Sequence, residues 1–298
     1  MIKGGNKMAS FSGTKINPTK FDKTQIPFYI ILVPLALFMI LPIIFIFAHA
    51  FKPLDELFAF PPTFFPQKPT LENFKNLFSI STDSGIPISR YLFNSIFITF
   101  SVMILTIFIS TAAAFALSKM KFKLKSFIFE MNTLALMFVS TAVTIPRYLL
   151  ISKLHIIDTY FAHILPLIAM PVGLFLIKQF LDQIPDSLIE AAKIDGASSF
   201  YIYRNIILPL IKPAIATVAI LSFQIVWNNL ETSNLYVNNE SLRTFAFYMS
   251  TLTSNVGNNV AGQGMAAAAT LIMFLPNLII FIILQRNVMN TMAYSGIK

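Results

Sequence analysis

The residues that could carry out chemistry in this sequence are few. The chain has 13 Asp and Glu, 3 His and no Cys, so it can form neither disulfides nor thiolate nucleophiles nor thiolate metal sites. It holds no H-E-x-x-H, no G-x-S-x-G and no Gly-Lys dipeptide, which argues against zinc-protease, serine-hydrolase and P-loop chemistry. We therefore expect no catalytic residue, no metal site and no cofactor on this chain.

The densest group of carboxylates lies between Lys178 and Asn205. Within it, Ser187 followed three residues later by Glu190 predicts a capping box at the start of a short helix, and Gly196 predicts the end of that helix. A second helical stretch is expected from Ala197 to Asn205. The small residues Ala191, Ala192 and Gly196 would let another surface approach the backbone closely. The carboxylates of this segment are Asp182, Asp186, Glu190 and Asp195, against the cations Lys178, Lys193 and Arg204.

The composition indicates what surrounds this segment. The chain has 298 residues, of which 56% are apolar and 12% charged. Soluble domains usually carry about 25% charged residues, so this sequence predicts an integral membrane protein. The net charge of +9 could suggest a nucleic-acid partner, but the cations lie between apolar blocks. They therefore indicate orientation in a bilayer, and we expect no nucleic acid to bind.

Six segments are long and apolar enough to span a bilayer, which needs roughly 20 such residues. The sequence thus predicts an all-α polytopic membrane protein with six transmembrane helices. The first segment is too long for a signal peptide, although Ala48-His49-Ala50 resembles a cleavage site. No Asp, Glu, Lys or Arg lies near the middle of any span. The predicted spans cover residues 28–51, 91–117, 127–150, 159–177, 206–230 and 265–284.

Lysine and arginine residues are concentrated on one side of these spans. Residues 1–27 carry five lysines, the connection between the second and third spans carries four, and residues 285–298 carry Arg286 and Lys298. By the positive-inside rule, both termini are expected in the cytoplasm, an N-in and C-in arrangement. The predicted organisation is a cytoplasmic N-terminal segment (1–27), a transmembrane domain (28–284) and a cytoplasmic tail (285–298).

The acidic segment resembles a known signature. Glu190-Ala191-Ala192, Asp195-Gly196-Ala197, Leu208-Pro209 and Pro213 resemble the EAA signature of ABC importer permeases that work with a solute-binding protein. The extended pattern is similar to the carbohydrate-uptake branch, and within it to the maltose-type G subunits. Agreement continues at Pro69 to Phe74, Asn94-Ser95, Trp227-Asn228-Asn229 and Ser295 to Lys298. Two departures are Asn229, where an acidic residue is frequent, and Asn290 to Ala293 in place of a glycine-containing tail.

The resemblance implies one permease half of an importer in a bacterial cytoplasmic membrane. Its partners would be a second homologous permease subunit, an ATPase dimer that carries ATP and magnesium, and an external sugar-binding protein. Residues 182–213 would couple the permease to the ATPase. Glu190 would make a charge-assisted contact with the ATPase, and Gly196 would allow the chain to turn sharply after the helix. The coupling residues are Ser187, Glu190, Ala191, Ala192, Asp195, Gly196, Ala197, Leu208, Pro209 and Pro213.

Three further sets of residues follow from the resemblance and from side-chain chemistry. The tail, Ser295, Gly296, Ile297 and Lys298, would contact the ATPase. The loop from 228 to 264, with Asn238, Gly257, Gly262 and Gly264, would face the binding protein. Candidates for the sugar pathway are Asn132, Thr144, Gln224, Trp227 and Asn228, although a tryptophan there is also typical of a membrane interface.

Two alternatives belong to other classes. A stand-alone secondary transporter of a small polar solute would need an ion site at bilayer depth, and the predicted spans contain no such charge. A membrane enzyme acting on lipid-linked sugars would need clustered acids or histidines at a membrane face. The acidic segment comes nearest to such a cluster, but its short helix followed by glycine is more typical of a docking element.

Overall fold

The fold is helical throughout the part of the chain that the structure describes. The computed structural model describes residues 25–79, 85–138, 140–256 and 260–295. No strand occurs among them, as the predicted all-α class requires. The helices are α1 (Ile26–Ala50), α2 (Leu54–Leu57), α3 (Glu72–Ser79), α4 (Ile88–Lys119), α5 (Lys125–Ala135), α6 (Thr144–Lys153), α7 (Tyr160–Ile168), α8 (Pro171–Asp182), α9 (Asp186–Ile194), α10 (Ser199–Tyr201), α11 (Leu208–Leu210), α12 (Lys212–Trp227), α13 (Glu231–Tyr236), α14 (Phe245–Val256) and α15 (Val260–Ser295).

Three described helices are each long and apolar enough to cross a membrane: α1, α4 and residues 262–285 of α15. Two bent pairs pass the same test when each is taken as one span. These are α7 with α8, which meet at 40°, and Ser199–Leu210 with α12, which meet at 78°. The described residues therefore offer three to five spans by length and composition, where the sequence predicted six.

The predicted third span, 127–150, is interrupted. Helix α5 ends at Ala135, a short 3-10 turn covers Ser140–Val143, and α6 starts at Thr144. Pro146 lies in the first turn of α6, where its missing N–H leaves no hydrogen bond unmade. In a continuous helix the same proline ring would clash with the preceding turn, so the sequence favours a new helix start here.

Prolines also explain the other breaks. Pro171 restricts the residue before it, and Met170 is extended with φ −111° and ψ 91°. This separates α7 from α8. The predicted fifth span, 206–230, is likewise divided: α11 ends at Leu210, and α12 starts at Lys212 with Pro213 in its first turn.

Helix α4 forms the centre of the bundle and packs against α7, α8 and α12. Gly173 of α8 allows the close approach: a β-carbon there would lie 3.2 Å from Cγ1 of Val218 on α12 and 3.3 Å from Oγ of Ser110 on α4. Helix α15 packs on α12, and α1 packs on α15. Helix α1 leaves nearly all of its apolar surface exposed, with only Ala48 and Ala50 buried. Such a surface suits lipid, since hydrocarbon solvates large apolar side chains.

Candidate functional site

The acidic segment forms a short helix, α9, beyond the Lys119 end of α4. Pro185 is its N-cap residue, with φ −59° and ψ 135°, and no side chain caps the helix. The predicted capping box between Ser187 and Glu190 is therefore wrong. Because Pro185 leaves the helical region and fixes the chain direction, the helix begins at Asp186, and Ser187 already lies inside its first turn. The carboxylate of Asp186 supplies the negative charge that a helix start favours.

The predicted end of α9 at Gly196 agrees with the structure. Gly196 has φ +81°, the left-handed conformation that favours glycine. Its N–H donates to the carbonyl of Lys193 at 3.0 Å, and the N–H of Ala197 donates to the carbonyl of Ala192 at 2.9 Å. These two bonds form a Schellman motif, which satisfies the last carbonyls of the helix and turns the chain sharply.

One face of α9 is buried and the other is open. Ile189 packs among Leu181 and Ile202 in an apolar cluster. The opposite side exposes Leu188 and leaves Ile194 86% exposed, on a helix that is too short and polar to be a span. Of the predicted coupling residues, Ser187, Glu190, Ala191, Asp195 and Gly196 are exposed, whereas Ala192 and Ala197 are half-buried.

A buried lysine fixes the start of α9 to the end of α4. The Lys119 ammonium donates to the carbonyl of Ile184 at 2.6 Å and to Oδ1 of Asp186 at 2.7 Å. This hydrogen bond, together with the lysine charge, lowers the pKa of Asp186 below its ordinary value. Beside it, Ser118 Oγ donates to Oδ1 of Asp182 at 2.6 Å. Sequence reasoning used Lys119 only for orientation, and nothing local to Lys119 distinguishes it from the neighbouring exposed lysines.

The chain after Gly196 is not the single helix that was predicted from Ala197 to Asn205. Helix α10 starts at Ser199, where Ser198 Oγ accepts from the N–H of Tyr201 at 3.2 Å. Residues Ile202–Ile207 then widen into a π-helix. In α geometry the ring of Pro209 would clash with the carbonyl of Asn205, and the wider turn relieves this clash.

The same segment is attached to the bundle before it turns. The Tyr203 hydroxyl lies 2.8 Å from the Thr111 hydroxyl of α4, and both groups are buried. After α11 the chain bends by 78° into α12. Of the remaining predicted coupling residues, Leu208 and Pro213 are half-buried and Pro209 is exposed. Helix α9 thus connects to α4 through Lys119 and to α12 through this bent segment.

The opposite end of the bundle, near Ile88, carries the predicted loop from 228 to 264. Its described part is folded into α13, a 3-10 turn at Glu240–Leu242, α14 and the start of α15. The Asn94 amide donates to the carbonyls of Ser241 and Arg243, both at 2.9 Å, and Ser95 Oγ accepts from the N–H of Phe245 at 2.7 Å. The Asn94-Ser95 pair noted in the sequence therefore anchors this connection onto α4.

Two of the residues predicted to face a binding protein are buried in a helix instead. Gly262 and Gly264 lie in α15, and a β-carbon at Gly264 would lie 2.6 Å from Oδ1 of Asn73. The amide of Asn73 in turn donates to the carbonyls of Ala50 and Lys52, at 3.0 and 2.8 Å. The prediction that these glycines belong to a loop is wrong, because they give α15 a smooth surface for packing. Gly257 lies outside the described residues.

Asn238 is exposed, as its predicted role requires, and its position is fixed. Its N–H and that of Asn239 donate to Oδ1 of Asp158, at 2.5 and 2.8 Å. The backbone N–H of Asn239 is the largest cause of a lowered pKa for this carboxyl. Asp158 itself has φ +59°, which places its carboxylate at the turn between α6 and α7. The connection is therefore held by the turn between α6 and α7 as well as by α4.

A cavity of about 540 Å³ opens between α5, α6, α8 and α12. Its walls are mainly apolar, with polar groups from Ser222, Asn229, Arg147 and Glu231. Arg147 Nη1 and Glu231 Oε1 lie 3.0 Å apart, with 26% and 31% of their side chains exposed. The two charges neutralise each other in a partly desolvated wall. No group of three or more potential metal ligands was found among the described residues.

The five predicted sugar-pathway residues do not line this cavity. Trp227 is buried, donates from Nε1 to the carbonyl of Met273 at 3.1 Å, and stacks on Phe223. Its ring is therefore packed inside the bundle, and its role in a sugar pathway stays a prediction. Asn132 donates to the carbonyl of Pro171 at 3.1 Å. The remaining three, Thr144, Gln224 and Asn228, also lie outside the cavity lining.

Helical spacing explains why the predicted residues of α12 and the cavity-lining residues lie on different faces. Ser222 and Val226, four residues apart, lie on one face of this helix. Asn229, seven residues after Ser222 and just beyond the end of the helix, continues the same face. Gln224, Trp227 and Asn228 point to other faces. The polar residue types suggested the right helix, but a single sequence gives no signal for which face meets the cavity.

The ends of the chain are only partly described. Helix α15 runs to Ser295, and Gly296, Ile297 and Lys298 lie outside the described residues, as do the first 24 residues. The predicted tail contact with an ATPase therefore stays a prediction.

The sequence matches a family model and several curated proteins. Residues 111–288 match the family described as "Binding-protein-dependent transport system inner membrane component". The arabinooligosaccharides transport system permease protein AraQ of Halalkalibacterium halodurans is 29% identical, over 89% of this chain and 93% of the relative. Protein LplC of Bacillus subtilis is 33% identical, over 87% and 89%. The sn-glycerol-3-phosphate transport system permease protein UgpE of Escherichia coli O1:K1 / APEC is 31% identical, over 83% and 88%.

A solved structure shares the fold. A chain in the crystal structure of a bacterial ABC transporter involved in the import of the acidic polysaccharide alginate superposes with a TM-score of 0.76. The match covers 90% of this chain and 99% of that chain at 19% sequence identity. The helical bundle described above is therefore an ABC permease fold. Taken with the family match over residues 111–288, this shows that the chain belongs to the binding-protein-dependent transport system inner membrane components, the permease subunits of ABC importers.

Proposed function

We propose that this chain is one permease half of an ATP-driven importer of a sugar or oligosaccharide in a bacterial cytoplasmic membrane, working by alternating access. The observation that carries the proposal is the placement of α9. This helix exposes Glu190, Ala191 and Ile194, is held to α4 by Lys119, and leads through a 78° bend into α12. A movement of α9 would therefore be transmitted to α4 and α12 without passing through a flexible linker.

The proposed partners are those that membership of the family implies. A second, homologous permease subunit would complete the pathway, an ATPase dimer carrying ATP and magnesium would receive α9, and an external sugar-binding protein would deliver the solute. Glu190 would make a charge-assisted contact in the ATPase cleft. The tail from Ser295 to Lys298 would reach the ATPase dimer, and Asn238 would lie on the surface that meets the binding protein.

Six spans with both termini in the cytoplasm fit this assembly. The third span would be the interrupted pair α5 and α6, because a broken helix is tolerated at membrane depth where it lines a cavity. These two helices do line the 540 Å³ cavity, at Ala135 and Arg147. The lysines at the Lys119 end of α4 favour the cytoplasm for that end.

The cavity would form this chain's wall of the sugar pathway. Its one ion pair, Arg147 with Glu231, leaves the wall without net charge. This favours a neutral solute over a phosphate ester or an acidic sugar. Among the relatives, AraQ is named for neutral arabinooligosaccharides whereas UgpE is named for sn-glycerol-3-phosphate, so the proposal of a neutral solute rests on the ion pair.

Orientation can be tested directly, because the chain has no cysteine. Lys193→Cys on α9 and Asn238→Cys near α13 both place a thiol at an exposed position. In intact cells, a membrane-impermeant maleimide should label residue 238 and leave residue 193 unlabelled until the cells are opened. The reverse pattern would overturn the orientation.

The coupling role is tested with Glu190→Lys and Gly196→Pro in the reconstituted complex. Both variants should insert into the membrane and lose ATP-driven uptake. Lys193→Gln, an exposed change on the same helix, serves as the control and should retain uptake. Normal uptake by both test variants would refute the coupling role, and uptake without the ATPase would favour a secondary transporter.

A further inference from the structure

A second hollow lies at the Lys119 end of the bundle, on the side of α4 that faces the π-helix. It has a volume of about 450 Å³ and is walled by Ile104, Ile107 and Phe108 of α4 and by Leu208 and Ile215 across from them. Its two hydroxyl groups, on Thr111 and Tyr203, bond to each other at 2.8 Å. The walls are thus apolar, and we call this hollow the α4 groove.

Two cations stand on the rim of the α4 groove. Arg204 belongs to the π-helix and Lys212 begins α12, and both side chains line the groove while remaining exposed. Neither forms an ion pair among the residues that the structure describes. Both cations come from the bent segment between α9 and α12. The groove therefore combines apolar walls with two uncompensated positive charges.

The depth of the groove matches an amphipathic ligand. Thr111 lies eight residues before Lys119, about 12 Å along the helix, and Ile104 lies about 10 Å further toward the middle. The apolar wall therefore runs at the depth of lipid acyl chains. The segment that bears Arg204 and Lys212 belongs to the Lys119 end, where lipid headgroups lie. A ligand with an anionic head and an apolar tail would meet matching surfaces at both ends.

We propose that the α4 groove binds an anionic phospholipid of the leaflet at the Lys119 end. The phosphate is held by Arg204 and Lys212, and one acyl chain lies along Ile104 and Phe108. The leaflet is the cytoplasmic one under the orientation proposed above. Basic pockets between spans on that side are suited to acidic headgroups, which attract each nearby Lys or Arg. Because the groove joins α4 to the bent segment, a bound lipid would stabilise one setting of the 78° bend and so act on the path from α9 to α12.

The charge requirement is tested on the purified complex in nanodiscs of phosphatidylcholine with graded phosphatidylglycerol. Lipids that remain bound after extraction are counted by native mass spectrometry. Arg204→Gln with Lys212→Gln should weaken retention of phosphatidylglycerol about tenfold. Lys121→Gln with Lys123→Gln removes the same charge from exposed positions near Lys119 and should change retention little. Equal retention by the two double variants would overturn the proposal.

The occupant of the groove is identified by a probe inside it. Phe108→Cys, carrying a fluorophore in the otherwise cysteine-free chain, should be quenched by spin-labelled phosphatidylglycerol more strongly than by spin-labelled phosphatidylcholine. Equal quenching, or crosslinking of residue 108 to the second permease subunit, would refute the lipid site. Labelling at residue 193 reports orientation separately, so a wrong leaflet and an empty groove give different results.

Discussion

The ammonium group of Lys119 lies 2.7 Å from the carboxylate of Asp186, joining the last residue of α4 to the first residue of α9. The two partners differ in environment: 4% of the Lys119 side chain is exposed, against 75% for Asp186. Lys119 also donates to the carbonyl of Ile184, so it holds the chain just before the helix as well. The buried lysine is therefore the partner that holds the start of α9 in place.

Replacing Lys119 by methionine should weaken the connection between α9 and α4. We expect the sugar transported per ATP hydrolysed to fall several-fold in proteoliposomes, because α9 could then shift without moving α4. Asp186→Asn should have a smaller effect, since its carboxylate is exposed and well screened. Lys119→Arg keeps the charge and should restore most of the coupling ratio.

Lys121→Met provides the matched control, because Lys121 is exposed two residues further along. An equal fall in the coupling ratio for Lys121→Met and Lys119→Met would contradict the positioning role.

A side chain at Gly196 should destabilise the end of α9 through backbone strain alone. No atom lies within 4 Å of a β-carbon at Gly196, but φ is +81°. Left-handed backbone costs most residues about 1–2 kcal/mol, which corresponds to roughly 5- to 30-fold faster local opening. Gly196→Ala should therefore speed amide exchange across residues 186–200. Gly196→Asn should do so less, since asparagine tolerates this conformation, and an equal effect of both would argue against strain as the cause.

Gly264→Ala should disturb the joint between α15 and α3. The added methyl would lie 2.6 Å from Oδ1 of Asn73, whose amide is held by the carbonyls of Ala50 and Lys52. We expect a loss of about 1–3 kcal/mol from overpacking, seen as a lower Tm of the solubilised complex. Asn73→Ala removes the clash, so the double variant should lose less than the sum of the single variants. Strictly additive losses would show that the two residues do not meet.

The ion pair at the cavity rim should show coupling between α6 and α13. Arg147→Met leaves Glu231 unpaired and partly buried, and Glu231→Gln leaves Arg147 in the same situation. Each single change should lower the rate of uptake, and the double change, which restores a neutral wall, should recover part of it. We expect a coupling free energy of about 0.5–1 kcal/mol, because both side chains are partly screened by solvent. A coupling free energy of zero in the double-mutant cycle would show that the two residues act independently.

The Asp158 carboxylate should make the connection around Asn238 sensitive to acid. The N–H groups of Asn239 and Asn238 lower the pKa of this carboxyl in the folded chain. Its contribution to stability is therefore present above the unfolded pKa of about 3.9 and is lost as the pH falls through the lower folded value. Because the carboxylate is exposed, the loss should stay under about 1 kcal/mol. Asp158→Asn should abolish this acid-dependent part of exchange at residues 237–240, and an unchanged profile would exclude Asp158 as its source.

Sequence reasoning recovered the parts of the fold that depend on local chemistry. Helix α9 and its end at Gly196 followed from residue types, since a left-handed residue after a helix needs glycine. The helix start was misplaced, because Pro185 and the Ser187–Glu190 pair both favour a start and only geometry separates them. The interruption before α6 could have been predicted from Pro146, which the hydropathy of 127–150 concealed.

The parts that failed depend on contacts distant in the sequence. Lys119 differs from Lys121 only in what lies against it, and a hydropathy profile treats them alike. Gly264 looked like a loop residue until Asn73, nearly two hundred positions earlier, was found beside it. Trp227 looked interfacial because its partner at Met273 belongs to another helix.

Helix α15 is 36 residues long, or about 54 Å, against about 30 Å for the hydrocarbon core of a bilayer. At one end, Gly264 packs against Asn73 of α3. The other end leads into the last residues of the chain. The helix is therefore long enough to reach from one membrane surface to the other, with Pro276 in its interior. A tilt imposed at either end has a mechanical consequence at the other, independently of the route through α9.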